Sequence, residues 1–179
     1  EWAVRGGSGD QRRVLTSIYL KPEEMEVTNL RLMKRWQEIE KNEVRFREYF
    51  MDDAKIAVMG FGTAGRIALS AVRAARAQGL PVGLLRPISL SPFPKQAVRE
   101  IADRVDSILV VEMNSGMMLE DVLREAKGHT HVEFYGRMGG IMPFPNEILG
   151  EIERLASAQT HSEAHPRDVW LERMDSIVH

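Results

Sequence analysis

The stretch KIAVMGFGTAGRIALSAVRAARAQG, Lys55–Gly79, decides how the chain is read. A short, mostly apolar and β-prone run, Lys55–Met59, leads into Gly60, Gly62 and Gly65, spaced G-x-G-x-x-G. Apolar residues at helical spacing follow: Ile67, Ala68, Ala71, Val72 and Ala75. The first run has the composition of a strand covered on both faces, and the second makes one apolar stripe on a helix that Gly79 can terminate. The predicted order is strand, tight turn, helix, with the amides of the helix N-terminus pointing out of the turn, a geometry able to hold an anion.

The same spacing is the fingerprint of a dinucleotide site, whose second half is an acidic residue about 20 positions on that binds the ribose hydroxyls. Here the next strand, PVGLLRP, ends on Arg86-Pro87 without a carboxylate. An arginine at that point faces a 2′-phosphate in principle, so NADP survives as a weakened alternative. Otherwise the glycines only let strand and helix approach closely.

Working outward, strands are predicted near Lys55–Gly60, Pro81–Arg86, Ser107–Met113 and His131–Tyr135. Helices are predicted near Ala64–Gln78, Lys95–Arg104, Met117–Ala126 and Pro145–Ala156. This alternation predicts an α/β fold with a mostly parallel sheet and helices on both faces. Upstream, in the charged segment Pro22–Phe50, Met25, Leu32, Ile39 and Phe46 recur every seven residues, with Trp36 and Phe50 four beyond two of them. That pattern predicts a long helix with one apolar face, packed on its own domain or on a neighbour. Arg13–Leu20 is a strand or an extended arm. Past Ala158 the chain turns polar and closes with Val169, Trp170, Met174 and Ile177, a short apolar tail that would seek a partner if exposed. The predicted division is a linker with arm and amphipathic helix over 1–52, an α/β domain over 53–158 and a tail over 159–179.

With 179 residues, 44% of them hydrophobic, the chain holds one ordinary domain and an additional segment. A formal net charge of -2 gives no electrostatic argument for nucleic acid or an anionic membrane. No apolar run has the length of a membrane span and no signal-peptide pattern opens the sequence, so cytoplasmic residence is the default expectation. Glu1 in place of an initiator methionine suggests the interior of a longer polypeptide. Zero cysteines excludes disulfides, thiolate zinc sites and cysteine-ligated iron–sulfur clusters within this chain. His161 and His165 have a spacing for shared ligation on a helix. Pro166 and the polar surroundings instead favour a solvated linker without a convergent carboxylate cluster, and His129 and His131 are read as equally bland. No metal ligand is assigned.

In an open parallel sheet, function gathers beyond the carboxyl ends of the strands. Those ends carry Gly60–Arg66, Arg86-Pro87, Glu112-Met113-Asn114 and Gly136–Gly140. Glu112 is a candidate base, and Asn114 and Arg66 are candidates to orient a carboxylate. The set contains no histidine, serine or cysteine nucleophile and no pair of carboxylates. An ion pair from Glu112 to Arg66 or Arg86 explains it as economically. Gly62, Thr63, Arg66, Arg86, Glu112 and Asn114 are therefore candidates for shaping loops or an interface, and no catalytic residue is assigned. The competing reading is a free-standing nucleotide- or anion-binding enzyme using Gly60, Gly62 and Gly65 at a phosphate and Glu112 as a base.

The run MGFGTAGRIALSAVRAARAQGLPVGLLRPISLSPFP, followed by ILVVEMNSGMMLEDV, resembles the C-terminal region of the alpha subunit of 2-oxoacid:ferredoxin oxidoreductases. The resemblance runs from about Ala54 to Ile152. It rests on three motifs in order: the glycine turn, Leu-Arg-Pro then Pro-Phe-Pro, and Glu-Met-Asn-x-Gly. The upstream RRVLTSIYLKPEE and NEVRFREYF look more like the branched-chain (2-oxoisovalerate) type than the pyruvate type. The resemblance implies a Rossmann-like domain of the transketolase C-terminal type that binds no dinucleotide. It also implies thiamine diphosphate, magnesium and iron–sulfur clusters elsewhere in an oligomeric complex, with beta, gamma and delta type subunits and ferredoxin as partners. The whole complex would decarboxylate a 2-oxo acid and form an acyl-CoA, and this chain alone would be inactive. Met117 stands where the family usually shows a glutamine.

Overall fold

The computed structural model describes residues 17–178, which divide into two compact units, one ending at Glu38 and the other beginning at Ile39. Helix α1 (Pro22–Asn42) carries Glu23 and Glu24 in its first turn and Lys41 in its last, charges that suit the helix dipole. None of its residues is buried. Val27, Leu30, Leu32 and Met33 are each more than half exposed. Half of the arm expected at Arg13–Leu20 lies outside the described residues, and Ser17–Leu20 form no strand.

The second unit is built on a five-stranded sheet in the order β1-β3-β2-β4-β5. Its strands are β1 (Phe46–Tyr49), β2 (Ile56–Met59), β3 (Val82–Pro87), β4 (Ser107–Glu112) and β5 (His131–Gly136). Around it lie α2 (Gly62–Ala77), α3 (Lys95–Ala102), α4 (Met117–Ala126), α5 (Pro145–Ser157) and α6 (Pro166–Val178). Strands β2 to β5 are parallel and β1 runs antiparallel to β3, with Phe46 opposite Pro87. Right-handed crossovers then place α2 on one face and α3 and α4 on the other, and α2 packs with α5. The chain reverses direction across the sheet at β2, so the switch point lies between the carboxyl ends of β2 and β4.

Strands β2 and β4 are buried along their whole length, which explains their continuous apolar sequence. Against them α2 sets Ala64, Gly65, Ala68, Ala71 and Ala75, small side chains that allow close helix-to-sheet approach. Leu84, Leu85, Ile108, Leu119, Phe134, Ile148 and Ile152 complete a core in which each is fully buried.

The sequence reading needs two corrections. The helix predicted within Pro22–Phe50 ends at Asn42, so Phe46 and Phe50 leave the heptad. Phe46–Tyr49 pairs with the free edge of β3 instead, and three of its four residues are exposed, leaving no alternation for the sequence to display. Phe50 then turns with φ of 57°, and Met51 seats on Gly83, where a Cβ would lie 2.3 Å from the Met51 sulfur. The apolar tail is no free segment either. Trp170 is buried edge-on to Phe134 at 5.1 Å, and Arg167 donates to the carbonyls of Ser115 and Gly116. Among the described residues no helix is long and apolar enough to cross a membrane.

Candidate functional site

Two strand-to-helix turns flank the switch point. At the end of β2, Gly60 and Gly65 stack so tightly that a Cβ on Gly65 would lie 2.4 Å from the Gly60 carbonyl oxygen, and a Cβ on Gly60 would crowd Gly65 and the Val111 carbonyl. These two glycines serve strand–helix contact. Gly62 differs: its φ is +54° and nothing lies near its missing Cβ. It opens α2 beside exposed Thr63 and Arg66, with no side-chain cap and no acid in the first turn.

At the end of β4, Glu112 is fully buried and faces the opening of α4. Its carboxylate accepts hydrogen bonds from the Met118 amide (3.0 Å), the Leu119 amide (2.9 Å) and the Asn114 side-chain amide (3.0 Å). Asn114 in turn accepts from the amides of Gly116 and Met117 at 2.8 and 2.9 Å. Gly116, with φ of 94°, gives the turn its left-handed corner. The pair thus satisfies the orphan donors of the first helical turn from a buried position.

The expected ion pair from Glu112 to Arg66 or Arg86 is not formed. The helix amides occupy the carboxylate, Arg66 is exposed, and Arg86 turns toward the edge strand. There the guanidinium groups of Arg47 and Arg86 hold the pKa of the Tyr49 phenol below the ordinary tyrosine value. The structure therefore brings Glu112 and Asn114 together, and Gly60 with Gly65.

Sequence reasoning missed what covers this edge. Met113 and Met117 after β4, and Met138, Ile141, Met142 and Phe144 after β5, are all exposed large apolar side chains. The two loops are neighbours, since the Arg137 amide donates to the Glu112 carbonyl at 3.1 Å. The readable signal was GGIMPFPN, whose glycines and prolines preclude a helix or strand that could bury the apolar residues between them. Met117 is 75% exposed and adds to the same surface.

A cavity of about 240 Å³ opens between β5, α5 and α6, lined by Tyr135, Glu147, Glu151, Trp170, Arg173 and Met174. Its acids are taken: Glu147 pairs with Arg137 at 2.6 Å, and Glu151 with Arg154 and Arg173. Burial, reinforced by Glu147, pushes the Tyr135 phenol up to about 12, which keeps it a proton donor at neutral pH. Both lining carboxylates are thus ion-paired.

The comparisons agree with this architecture. The family model for pyruvate:ferredoxin oxidoreductase core domain II matches residues 54–148. Ketoisovalerate oxidoreductase subunit VorB of Methanothermobacter thermautotrophicus is 44% identical over 155 residues, covering 87% of this chain and 44% of the relative. The chain thus spans less than half the length of that relative. Among solved structures, 2-oxoglutarate:ferredoxin oxidoreductase from Magnetococcus marinus superposes with a TM-score of 0.66 at 16% identity, over 78% of this chain and 24% of that one. A split-gene transketolase, an inactive tetramer, gives 0.55 at 14% identity over 65% of this chain and 42% of that one. These two show the fold alone, a Rossmann-like sheet of the transketolase type. With the motifs of its glycine turn and its Glu112–Gly116 corner inside the matched span, the chain belongs to the 2-oxoacid:ferredoxin oxidoreductase family.

Proposed function

We propose that this chain is a non-catalytic assembly domain of the alpha subunit of a thiamine-diphosphate-dependent 2-oxoacid:ferredoxin oxidoreductase. The complex as a whole decarboxylates a 2-oxo acid oxidatively to an acyl-CoA, and similarity to a ketoisovalerate oxidoreductase subunit favours a branched-chain acid. The observation that carries the reading is the carboxyl edge of the sheet. Its one candidate base is committed to a helix N-terminus, while its loops expose methionines, Ile141 and Phe144. Exposed apolar side chains gathered on one edge are the surface of an interface. The apolar residues of α1 offer a further surface to neighbouring subunits.

The residues of this edge do not fit the cofactors of the complex. A magnesium ion bridging a diphosphate needs available oxygen ligands. Glu112 is buried and occupied by helix amides, and the chain has no cysteine for a cluster. We therefore assign thiamine diphosphate, magnesium and iron–sulfur clusters to the beta, gamma and delta type subunits or to other domains, and ferredoxin contacts to the complex. No step of the reaction is placed on this chain.

Co-expression with the remaining subunits tests this. A stable complex retained through this domain is the expected result. Failure to associate when the upstream alpha-subunit domain is also supplied would contradict it.

A further inference from the structure

A second cluster lies away from the carboxyl edge, on the outer strand of the sheet. His131 and Glu133 are two residues apart on β5 and so share a face. The connector between α5 and α6 brings His161 onto them, its ring stacked on that of His131 with centroids 4.0 Å apart and planes at 19°. His131 Nε2 stands 3.1 Å from Glu133 Oε1. One ligand atom from each of the three residues falls within 4.8 Å of the others. Beside them is a cavity of about 10 Å³ lined by His131, Glu133 and Ser162 among others, room for one small guest.

We propose that His131, Glu133 and His161 form a site for a single borderline divalent cation of the zinc class, with a fourth position open to water. Two ligands at bond lengths of about 2.0–2.1 Å on a tetrahedral ion are separated by about 3.3 Å, close to the spacing already held by His131 and Glu133. His161 reaches that spacing by a side-chain movement, since it is exposed on a connector without helix or strand. Two imidazoles and one carboxylate suit zinc, cobalt or nickel, whereas calcium and magnesium call for oxygen-rich shells. Glu133 is itself oriented by Arg154, which bonds both its oxygens. Such support behind a ligating carboxylate is usual in metal sites. His165 stands outside the cluster, with its Nδ1 accepting from the Arg167 amide and its Nε2 near Glu120. Binding would pin the connector to the edge of β5.

The test is calorimetric titration of the full 179-residue chain with zinc chloride in a non-chelating buffer, paired with cobalt(II) absorption and thermal melting. One equivalent with micromolar affinity, tetrahedral cobalt bands and a zinc-dependent rise in Tm are expected. Since even an outer partner of a ligand is worth about 10–100-fold in affinity, His161→Ala should weaken binding at least that much. This exposed position tolerates alanine without loss of the fold, so the variant's own Tm without zinc should match the parent. Binding no tighter than millimolar, or unchanged zinc affinity in His161→Ala and in Glu133→Gln, would overturn the assignment.

Discussion

The turns after β2 and β4 sit side by side at the same edge of the sheet, yet they are built on opposite principles. Gly60–Arg66 is shaped by what is missing: two absent side chains let backbone meet backbone, and the α2 N-terminus is left without a cap. Glu112–Met117 is shaped by what is present, a buried carboxylate and an asparagine that hold the first turn of α4. The ends of the two helices are reversed as well. Helix α2 is fastened near its C-terminus, where Arg76 donates to Asp53, to the Phe50 carbonyl and to the Val82 carbonyl. A glycine fingerprint and a lone buried acid each resemble the sign of a reactive site, and here the glycines bring backbone against backbone while the acid accepts from helix amides.

The largest break in this comparison comes from Gly65→Val. The added carbon would press on the Gly60 backbone, which cannot rotate away, and a loss of about 4 kcal/mol or more is expected, of the size reserved for severe core defects. Chemical denaturation of the purified variant measures it. Glu112→Gln should cost less, about 2 kcal/mol, because the amide presents a donor to donors that the carboxylate satisfied. In the assembled enzyme, turnover per folded complex should survive that change. A base at this position would instead lose turnover while stability held.

Gly62→Ala should fall lower still, at about 1 kcal/mol, since only the left-handed backbone resists it and no neighbour is struck. Titration of the parent chain with NAD(H) or NADP(H) should show no saturable binding. Saturation at micromolar concentration, abolished in Gly62→Val, would restore the dinucleotide reading of the motif. The smallest effect belongs to Asp53→Asn. Hydrogen bonds from Arg76 lower the Asp53 pKa, so the pair stabilises the fold above the ordinary carboxylate range and loses its contribution as pH falls through and below about 4. Unfolding of the variant, followed against pH, should show a slightly lower neutral plateau and a shallower acid slope, the two proteins converging in acid.

The central sheet was legible because its strands are buried on both faces and its helices carry clear apolar stripes. Ile56–Met59 and Ser107–Glu112 could be read as strands from composition alone. Strand β1 could not, since Phe46, Arg47 and Glu48 are all exposed and its pairing depends on the free edge of β3, far away in sequence. Glu112 was singled out from its place at a strand end and α4 begins at Met117 as predicted, but that the carboxylate would be buried beneath the first turn of α4 is set by tertiary packing. The His131 cluster was hidden for another reason. His161 pairs with a histidine 30 positions earlier, while the i,i+4 spacing to His165 drew attention to a helix that does not form. The apolar edge was missed because Met138, Ile141, Met142 and Phe144 fall in a turn-rich loop, where periodicity has nothing to say.

The most direct test of an edge built for assembly is native mass spectrometry of the complete complex carrying Met142→Asp and Phe144→Asp, read together with turnover and with the melting of the isolated chain. Both side chains are exposed, so the chain should melt as the parent does while the alpha subunit dissociates from its partners and activity falls in proportion. A complex that stays intact at full occupancy while its turnover collapses would contradict the account, because the edge would then be acting on the chemistry itself.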